Sequence, residues 1–307
     1  MAFPVTSGHP QYAGNFIPEL WAGKLIESFY DATVLAQISN TEYEGMIKAH
    51  GDTVHIRTTP TLTIRDYTKG MTLQVERPDS TPLELLIDKG KYWQAVSDDV
   101  DKVQSDVNLM DVWSKDAAEQ MKIEIDQDVL TNMITDISAL NSGATAGAKT
   151  ASFNLGTTGS PLTVTKDGAG GTTSITELIV DLGTVLDEAN CPESDRYLVL
   201  PAKAVGLIKK SELKDASLSG DGSSIMRNGR VGMIDRFTIY MSHNLYTASA
   251  KTNIIAGTKR GLTFASQLTN VETLRAESTF GTLIRGLNVY GYKVVKPEAI
   301  ATAVITF

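Results

Sequence analysis

The sequence contains very little cysteine and histidine. One of its 307 residues is cysteine, Cys191, so the chain can form neither an intramolecular disulfide bond nor a zinc site with several thiolate ligands. The four histidines are His9, His50, His55 and His243, and none has the spacing of a metal-binding pair to another or to Cys191. The sequence therefore predicts no metal site, and its single thiol fits a reducing cytoplasm.

Long apolar runs and an excess of positive charge are also missing. No stretch approaches the roughly eighteen consecutive apolar residues that span a membrane, and residues 1–14 lack the pattern of a signal peptide. The net charge of -8 and the pI near 5.1 argue against a strong general affinity for nucleic acid or anionic membranes. We therefore expect a soluble protein made in a cytosol, with one elaborate domain or two to three smaller ones.

No motif in the sequence indicates catalysis. Residues 143–150 (GATAGAKT) superficially resemble a phosphate-binding loop, but Ala148 stands before Lys149 and a helical pattern precedes the segment. The acidic cluster in residues 98–106 has Gln104 where a calcium loop needs glycine, so we expect it to serve the start of a helix. No nucleophile elbow is present. The sequence therefore predicts no enzymatic activity, no catalytic residue and no cofactor.

The longest regular pattern is helical and covers residues 105–140. Charged residues such as Lys122 and Asp126 occupy the positions outside the apolar stripe, and no Gly or Pro interrupts the run. Such a helix would be about 50 Å long, at 1.5 Å per residue. The alternative is two helices with a kink near Gln127. The apolar stripe consists of Met110, Trp113, Ala117, Met121, Ile125, Val129, Met133, Ile137 and Leu140.

Alternating patterns before this helix predict antiparallel hairpins. Lys69-Gly70 and Asp88-Lys89-Gly90 are turn signals between alternating runs. The central ribbon, residues 61–77, has few bulky apolar residues, and a lone two-stranded ribbon is marginal in water. It therefore either lies on its own core or reaches a neighbouring subunit. The alternating runs are residues 53–57, 62–65, 71–76, 83–87 and 92–96.

The rest of the chain predicts an arm, a helix and a mixed second domain. Residues 1–15 should form an extended arm and residues 18–35 an amphipathic helix. Residues 141–174 are rich in Gly, Ala, Ser and Thr and predict a surface loop or weak hairpin at a domain boundary. Helices are predicted over residues 175–189 and 204–213, strands over residues 196–200, 231–240, 252–256, 262–264, 271–276, 283–290, 294–295 and 301–307, and a polar loop over residues 217–228.

Seven stretches of the sequence resemble one protein family. They are FIPELWAGKLIESFY (16–30), GDTVHIR (51–57), LLIDKGK (85–91), DDVDKVQSD (98–106), YLVLP (197–201), GMIDRFTIY (232–240) and RGLNVYGYKVVKP (285–297). In combination they are similar to the major capsid proteins of tailed double-stranded DNA bacteriophages, whose fold is that of the Hong Kong phage coat protein. The resemblance extends over nearly the whole chain.

The resemblance implies an α+β fold with four parts. These are an N-terminal arm and helix (1–49), an extended two-stranded loop (50–97), a peripheral domain with a long spine helix (98–140 with 277–307) and an axial α/β domain (141–276). It implies a structural virion protein that forms the hexamers and pentamers of an icosahedral shell around packaged double-stranded DNA. The implied partners are copies of the chain, a scaffolding protein, a portal and a decoration protein, and the implied location is the virion capsid, assembled in the bacterial cytoplasm.

Two other functions remain open at this point. An encapsulin-like nanocompartment has the same fold but encloses a cargo enzyme, and a hydrolase or ligand-binding protein would have a site in the axial-like domain. In the favoured reading, charged residues of the extended loop contact neighbouring subunits. Lys69 is at the loop tip, but no asparagine can be assigned to it for the covalent cross-link of some family members. The candidate inter-subunit contacts are Arg57, Arg65, Asp66, Lys69, Glu76 and Arg77.

Overall fold

A computed structural model describes residues 33–42, 53–58, 60, 62–80, 82–99, 109–211, 232–276 and 279–307. Most of the helix predicted over residues 18–35 and the loop predicted over residues 217–228 lie outside these ranges. The described helices are α1 (Leu35–Ile38), α2 (Leu109–Asn132), α3 (Ile175–Glu188) and α4 (Ala202–Lys210). The described strands are β1 (Thr53–Arg57), β2 (Pro82–Leu86), β3 (Lys89–Asp98), β4 (Leu162–Thr165), β5 (Thr173–Ser174), β6 (Arg196–Leu200), β7 (Met233–Ile234), β8 (Phe237–Met241), β9 (Thr247–Ala248), β10 (Lys251–Thr258), β11 (Leu262–Arg275), β12 (Gly281–Val294) and β13 (Ile300–Thr306).

Eight strands form the largest sheet. Their order is β5-β4-β13-β10-β6-β8-β7, and β9 adds to β10. β10 is antiparallel to both β13 and β6, whereas β6 and β8 are parallel and are joined by a connection that contains α4. All five residues of β6 are buried, because elements cover this sheet on both faces.

Helices α3 and α4 cover one face of the large sheet. Leu178, Leu182 and Val185 repeat at helical spacing along α3 and are fully buried against Leu198 and Ala256 of the sheet. Burying one such side chain contributes about 1.5–3 kcal/mol. The sequence therefore predicted α3 correctly, because its apolar stripe faces a core along the whole helix.

Helix α2, the predicted spine helix, covers the opposite face. Val129, Leu130 and Met133 form a second core cluster with Val199 and Ile255 of the sheet. Of the predicted stripe only Ile125, Val129 and Met133 are buried, and Leu140 at its end is 51% exposed. Trp113, near the start of the helix, remains 37% exposed.

Strands β11, β12 and β3 form a three-stranded antiparallel sheet with β12 in the centre. A polar cluster holds α2 on this sheet. Lys89 of β3 donates hydrogen bonds to Asp128 of α2 at 3.2 Å and to the Tyr292 hydroxyl at 2.7 Å, and Tyr290 of β12 donates to the same Asp128 oxygen at 2.9 Å. The smaller β1–β2 pair packs on this sheet through Leu85.

The spine helix ends earlier than predicted. It is continuous through Gln127, so the kinked alternative is wrong, but the α-helix ends at Asn132 and a 3-10 turn, Met133–Asp136, follows. Its described length is therefore about 36 Å rather than about 50 Å. The chain leaves the helix because the Ser138 N–H donates to the Pro297 carbonyl and the Asn141 side chain donates to the carbonyls of Glu298 and Ile300. Residues 105–108 of the predicted helix lie outside the described ranges.

The predicted hairpin around Asp88-Lys89-Gly90 is wrong. β2 pairs with β1, and β3 pairs with β12, so β2 and β3 are not partners. Lys89 and Gly90 are the first residues of β3 rather than a turn. The strand forms ten residue pairs with β12, from Lys89↔Tyr290 to Asp98↔Gly281, which is more than a local hairpin with the five-residue β2 could provide.

Several strands pair across the boundary between the two predicted domain ranges, and the ranges themselves stay a prediction. β13 was grouped with the spine helix but pairs with β10 and β4 in the large sheet, whereas β11 was grouped with the axial domain but pairs with β12. Helix α2 carries the chain from β3 of the three-stranded sheet to the large sheet, and the chain crosses twice more, between β10 and β11 and between β12 and β13. The N–H groups of Val295 and Lys296 both donate to the Gly261 carbonyl at this crossing.

Residues 141–174 are more ordered than a surface loop. Ala146 pairs with Phe153 in an antiparallel bridge, and β4 extends the large sheet beside β13. Ala146, Leu155 and Val164 are buried in the core under α3. The small residues of this segment thus allow tight turns while its few large apolar residues fill the core.

Candidate functional site

The segment between β1 and β2 is the described part of the molecule with the least contact to the rest of the chain. β1 and β2 pair antiparallel, and the last pair, Arg57↔Pro82, is where the loop leaves and returns. Its described residues, 58–80, belong to no helix or strand, and all residues from 62 to 79 are exposed. We call residues 58–80 the extended loop.

The predicted turn at the tip of the extended loop is confirmed. The chain reverses at Lys69–Gly70, and the Met71 N–H donates to the Thr68 carbonyl at 3.1 Å. Gly70 has a φ of +91°, a conformation that side chains disfavour. The turn therefore depends on glycine.

The predicted strands of this loop are wrong. The two arms face each other through side chains: Glu76 accepts hydrogen bonds from the N–H and hydroxyl of Thr63, and Arg65 donates to the Gln74 side chain. No backbone ladder joins the described residues of the arms, since neither arm packs on a core that would fix a strand register. Ser80 closes the base by donating to the Thr58 carbonyl.

Large apolar side chains of the extended loop are exposed. Ile64 is 92% exposed and Val75 is 91% exposed, and Leu62, Tyr67 and Leu73 are each more than half exposed. Exposed apolar groups concentrated on one segment indicate an interaction surface, because their hydration is unfavourable. Sequence reasoning missed them as site residues because it counted few bulky apolar residues in this ribbon and assigned its contacts to the charged side chains alone.

The six candidate contact residues all lie on this exposed segment or at its base. Arg57 is the last residue of β1, and the other five lie between residues 65 and 77. Glu76 contacts Thr63 and Arg65 contacts Gln74, but no ion pair joins any of the six to another charged residue in the described part of the chain. Their charges are therefore available to a second molecule.

A second uncovered surface lies on the three-stranded sheet, on the face opposite to α2. Tyr92 and Val96 of β3, Leu274 of β11 and Leu287 of β12 are each 39–79% exposed there. A groove of about 300 Å³ runs beside Tyr92 and Leu287, and the Arg285–Glu272 ion pair, 2.7 Å, forms part of its wall. We call this surface the sheet face.

The glycine-rich segment that resembles a phosphate-binding loop binds a carboxylate of the chain itself. Glu188 of α3 accepts hydrogen bonds from the Lys149 N–H at 2.9 Å, the Thr150 N–H at 3.1 Å and the Thr150 hydroxyl at 2.7 Å. These donors hold the pKa of Glu188 below its usual range. The segment thus has a structural role.

The remaining candidates for chemistry also have structural explanations. Asp99, from the predicted acidic cluster, forms a two-pronged ion pair with Arg275, while Asp101 and Asp106 lie outside the described ranges. The Cys191 thiol donates to the Glu298 carbonyl, and burial raises its pKa. Within the described ranges no group of three His, Cys, Asp or Glu could hold a metal ion, and no helix is long and apolar enough to cross a membrane.

Solved structures with this fold come from phage-type shells. A structure from Mycobacterium phage Che8 is 30% identical, covers 95% of this chain and 97% of its own, and gives a TM-score of 0.77. The capsid of Cyanophage P-SCSP1u is 15% identical, covers 95% of this chain and 93% of its own, and gives a TM-score of 0.70. The capsid of a native GTA particle is 15% identical, covers 96% of this chain and 97% of its own, and gives a TM-score of 0.69. The fold is therefore that of a capsid shell protein.

The family model for "Phage capsid protein" matches residues 83–303, which is well over half of the chain. No curated protein matches the sequence. The chain belongs to the phage capsid protein family, and it is a major capsid subunit, a structural protein of the virion shell. This confirms the resemblance noted in the sequence, and nothing in the comparisons favours an encapsulin-like nanocompartment.

Proposed function

We propose that this major capsid subunit forms hexamers and pentamers of an icosahedral shell that encloses packaged double-stranded DNA. The shell assembles in the bacterial cytoplasm, and the subunit works without catalysis or a cofactor. The exposed apolar side chains of the extended loop carry this proposal, because in the single chain nothing among the described residues covers them. A second copy of the chain is the partner that a closed shell supplies at every such loop.

In this proposal the extended loop of one copy rests on the sheet face of the next. Ile64 and Val75 would meet the apolar side chains of Tyr92 and Leu287, and each fully buried aliphatic side chain would contribute about 1.5–3 kcal/mol. The charges beside them, Arg65, Asp66, Lys69, Glu76 and Arg77, with Arg57 at the base, would set the register by pairing with charges of the neighbour.

The acidity of the subunit supports a shell that encloses DNA without gripping it. With a net charge of -8 the average surface repels phosphates, so contacts to the genome would be weak and independent of its sequence. We propose residues 1–49 as the arm and residues 50–97 as the extended-loop region. Residues 98–140 with 277–307 would form the peripheral domain and residues 141–276 the axial domain, tied together by the strands that pair across these bounds. A scaffolding protein, a portal and a decoration protein are the further partners we propose.

Electron microscopy of the purified chain tests the contact through the extended loop. The test variant combines Ile64→Ser and Val75→Ser, which removes two exposed apolar side chains without adding charge. The matched control is Thr72→Ser, which changes a polar residue of the same exposed segment. We expect shells, tubes or capsomer-sized rings from the wild type and the control, and a loss of at least about tenfold in assembled material for the double variant, since about 1.4 kcal/mol corresponds to tenfold in an equilibrium.

Circular dichroism of the unassembled fractions completes this test. The double variant should fold like the wild type, because the two side chains contact no core in the single chain. Shells formed equally well by the double variant would contradict the proposed loop contact. A wild-type chain that stays monomeric even with its scaffolding protein would contradict the proposed assembly.

A further inference from the structure

Asp126 is a carboxylic acid buried in the core between α2 and the large sheet. Only 1% of its surface is exposed, although the sequence pattern places it on the charged side of the helix. Its neighbours Ile125 and Val129 belong to the apolar cluster around it. A carboxylate at such a position has lost its hydration and needs compensating contacts.

Three donors from two distant segments reach the Asp126 carboxyl group. The N–H groups of Val34 and Leu35 donate to Oδ1 at 3.1 and 2.9 Å, and the Asn244 side-chain amide donates to Oδ2 at 2.8 Å. Leu35 is the first residue of α1, and Val34 before it has no side-chain acceptor to cap the turn. Asp126 therefore supplies the cap from elsewhere in the chain.

One carboxyl group thus joins three parts of the fold. These are residues 33–42, helix α2 and residues 242–246, the connection between β8 and β9. Leu35 and Leu245 anchor the two segments in the same apolar cluster. The segment 33–42 is also held by Asn40, which bonds to Leu262 and Phe264 at the start of β11.

A cavity of about 300 Å³ lies beside Asp126 and gives solvent a route to it. Its walls include Leu35 and Ile125, the ring of Phe264 and the hydroxyl-bearing Ser39. At about 30 Å³ per molecule, such a volume holds several waters. Protons can therefore exchange with the buried carboxyl group without unfolding of the core.

No counter-charge faces Asp126 among the described residues. Lys122 lines the cavity, but its ammonium pairs with Glu119 at 2.6 Å. The other charged or titratable groups on the contacting segments are Glu42, His243 and Tyr246, and all three are exposed. The adjoining parts of β11 and β12 contribute Phe264, Ser266 and Asn288. Burial raises the pKa of Asp126 above its ordinary value of 3.8, against the opposing effect of the three hydrogen bonds.

We propose that Asp126 is a proton-controlled clamp that holds residues 33–42 and 242–246 on α2 more tightly when its carboxyl group is neutral than when it is ionised. In the neutral form Oδ1 still accepts both N–H groups, and the new O–H on Oδ2 donates to Asn244 after its amide turns over. In the ionised form Oδ1 accepts the same two N–H groups and Oδ2 accepts from the Asn244 amide, but a buried charge without a counter-charge opposes these bonds. This inference concerns the single chain and does not depend on shell formation.

The direction of the pH dependence follows from the raised pKa. A carboxyl group with a raised pKa in the folded state contributes stability that is fully present below its ordinary pKa. That stability is lost as the pH rises through the raised pKa. The clamp should therefore be tight in acid and looser at neutral pH, with a factor of about ten in the opening equilibrium for each unit by which the pKa is raised.

Hydrogen exchange of the full-length protein between about pH 4 and about pH 8 tests the clamp, after correction for the pH dependence of intrinsic exchange. The reporter is the protection of residues 33–39, and the reference is the protection of β10 in the large sheet. We expect the ratio of reporter to reference protection to fall as the pH rises in the wild type. A constant ratio would overturn the proposal.

Three variants make the test specific to Asp126. Asp126→Asn keeps the shape and hydrogen bonds without the charge, so its ratio should not change with pH. Asn244→Ala removes a donor that favours the ionised form, so the fall should move to higher pH. Glu124→Gln removes the charge of an exposed carboxylate on the same helix, which pairs with Lys91 of β3, and should behave like the wild type.

Either of two results in these variants would refute the clamp. The first is a fall retained in Asp126→Asn, and the second is an unshifted fall in Asn244→Ala. If Asp126→Asn does not fold, the pH dependence of the wild type and its shift in Asn244→Ala still decide whether the clamp exists. Micrographs of the same samples report separately on shell formation.

Discussion

Two buried tyrosine hydroxyl groups of this fold differ in whether they have a hydrogen-bond partner among the described residues. The Tyr197 hydroxyl on β6 is completely buried and has no hydrogen-bond partner in the described part of the chain. The Tyr290 hydroxyl, on an equally buried residue, donates to Asp128. The two tyrosines therefore allow a comparison of a buried hydroxyl without a partner in the described part of the chain and one bonded to a carboxylate.

We predict opposite effects when each hydroxyl is removed. Tyr197→Phe should raise the free energy of unfolding by about 1 kcal/mol, because it removes an unpaired buried polar group. Tyr290→Phe should lower it by about 2 kcal/mol, because it leaves the Asp128 carboxylate with one donor fewer. Urea denaturation of the unassembled chain measures both, and a destabilised Tyr197→Phe would mean that its hydroxyl has a partner.

Arg196 is a charged residue whose side chain is fully buried in the core. Its buried guanidinium donates to the carbonyls of Pro192, Gly183 and Cys191 and to the Asp187 carboxylate at 2.6 Å. Burial alone would raise the pKa of Asp187, but the hydrogen bonds from Arg196 and Arg236 lower it. The pair therefore contributes stability that is present above the ordinary pKa and is lost as the pH falls.

We predict that Arg196→Met destabilises the unassembled chain by about 3 kcal/mol, because three carbonyls and a carboxylate lose their donor. The control is Arg236→Met, at a partly exposed arginine of the same cluster, which should cost less than about 1 kcal/mol. Equal effects from the two substitutions would show that burial of the Arg196 guanidinium is not what matters.

At the scale of elements, the charges of the extended loop can be tested separately from its apolar side chains. We predict that Arg65→Glu or Arg77→Glu lowers the yield of assembled shells while the urea midpoint of the single chain stays nearly unchanged, because no ion pair within the described residues uses either arginine. Lys259→Glu, which reverses an exposed charge between β10 and β11, is the control. Normal shells from both arginine variants would exclude these charges from the contact.

The helices and strands show what sequence patterns can and cannot predict. The helix α3 and strands β1 and β6 were predicted because their local patterns face a core in the same chain. The end of the spine helix was not, because it depends on bonds from Ser138 and Asn141 to residues 297–300, which are more than 150 positions away. Strand partners failed for the same reason: turn signals at Asp88-Lys89-Gly90 say nothing about β12.

The position of the extended loop in the sequence was predicted correctly, but its conformation was not. Its tip at Lys69–Gly70 and its exposed charges follow from local sequence, whereas its conformation depends on what covers Ile64 and Val75. Alternation of apolar residues predicts a two-sided segment with one covered face. It does not say whether that cover is the same chain or another one.

At the scale of the whole molecule, the uncovered loop predicts a difference between free and assembled chains. Trypsin should cleave the unassembled chain first after Arg65 or Lys69, because the surrounding backbone is exposed and unpaired; Arg77 is excluded as a site because Pro78 follows it. The same bonds should be cleaved at least about tenfold more slowly in shells. Mass spectrometry of the fragments measures the two cleavage rates. A urea-denatured sample controls for how readily trypsin cleaves each bond in the unfolded chain. Equal rates in free chains and shells would contradict burial of the loop on assembly.

The position of β13 has a consequence for how the subunit is made. Ile300–Thr306 lies between β10 and β4, so the large sheet has a gap in its middle until these residues have left the ribosome. Pairing over about 140 intervening residues, from β4 to β13, also makes folding slow. A chain without a paired β13 therefore lacks both its complete core and the fixed surface that a neighbour would recognise, so shell growth would recruit only chains in which β13 has already joined the sheet.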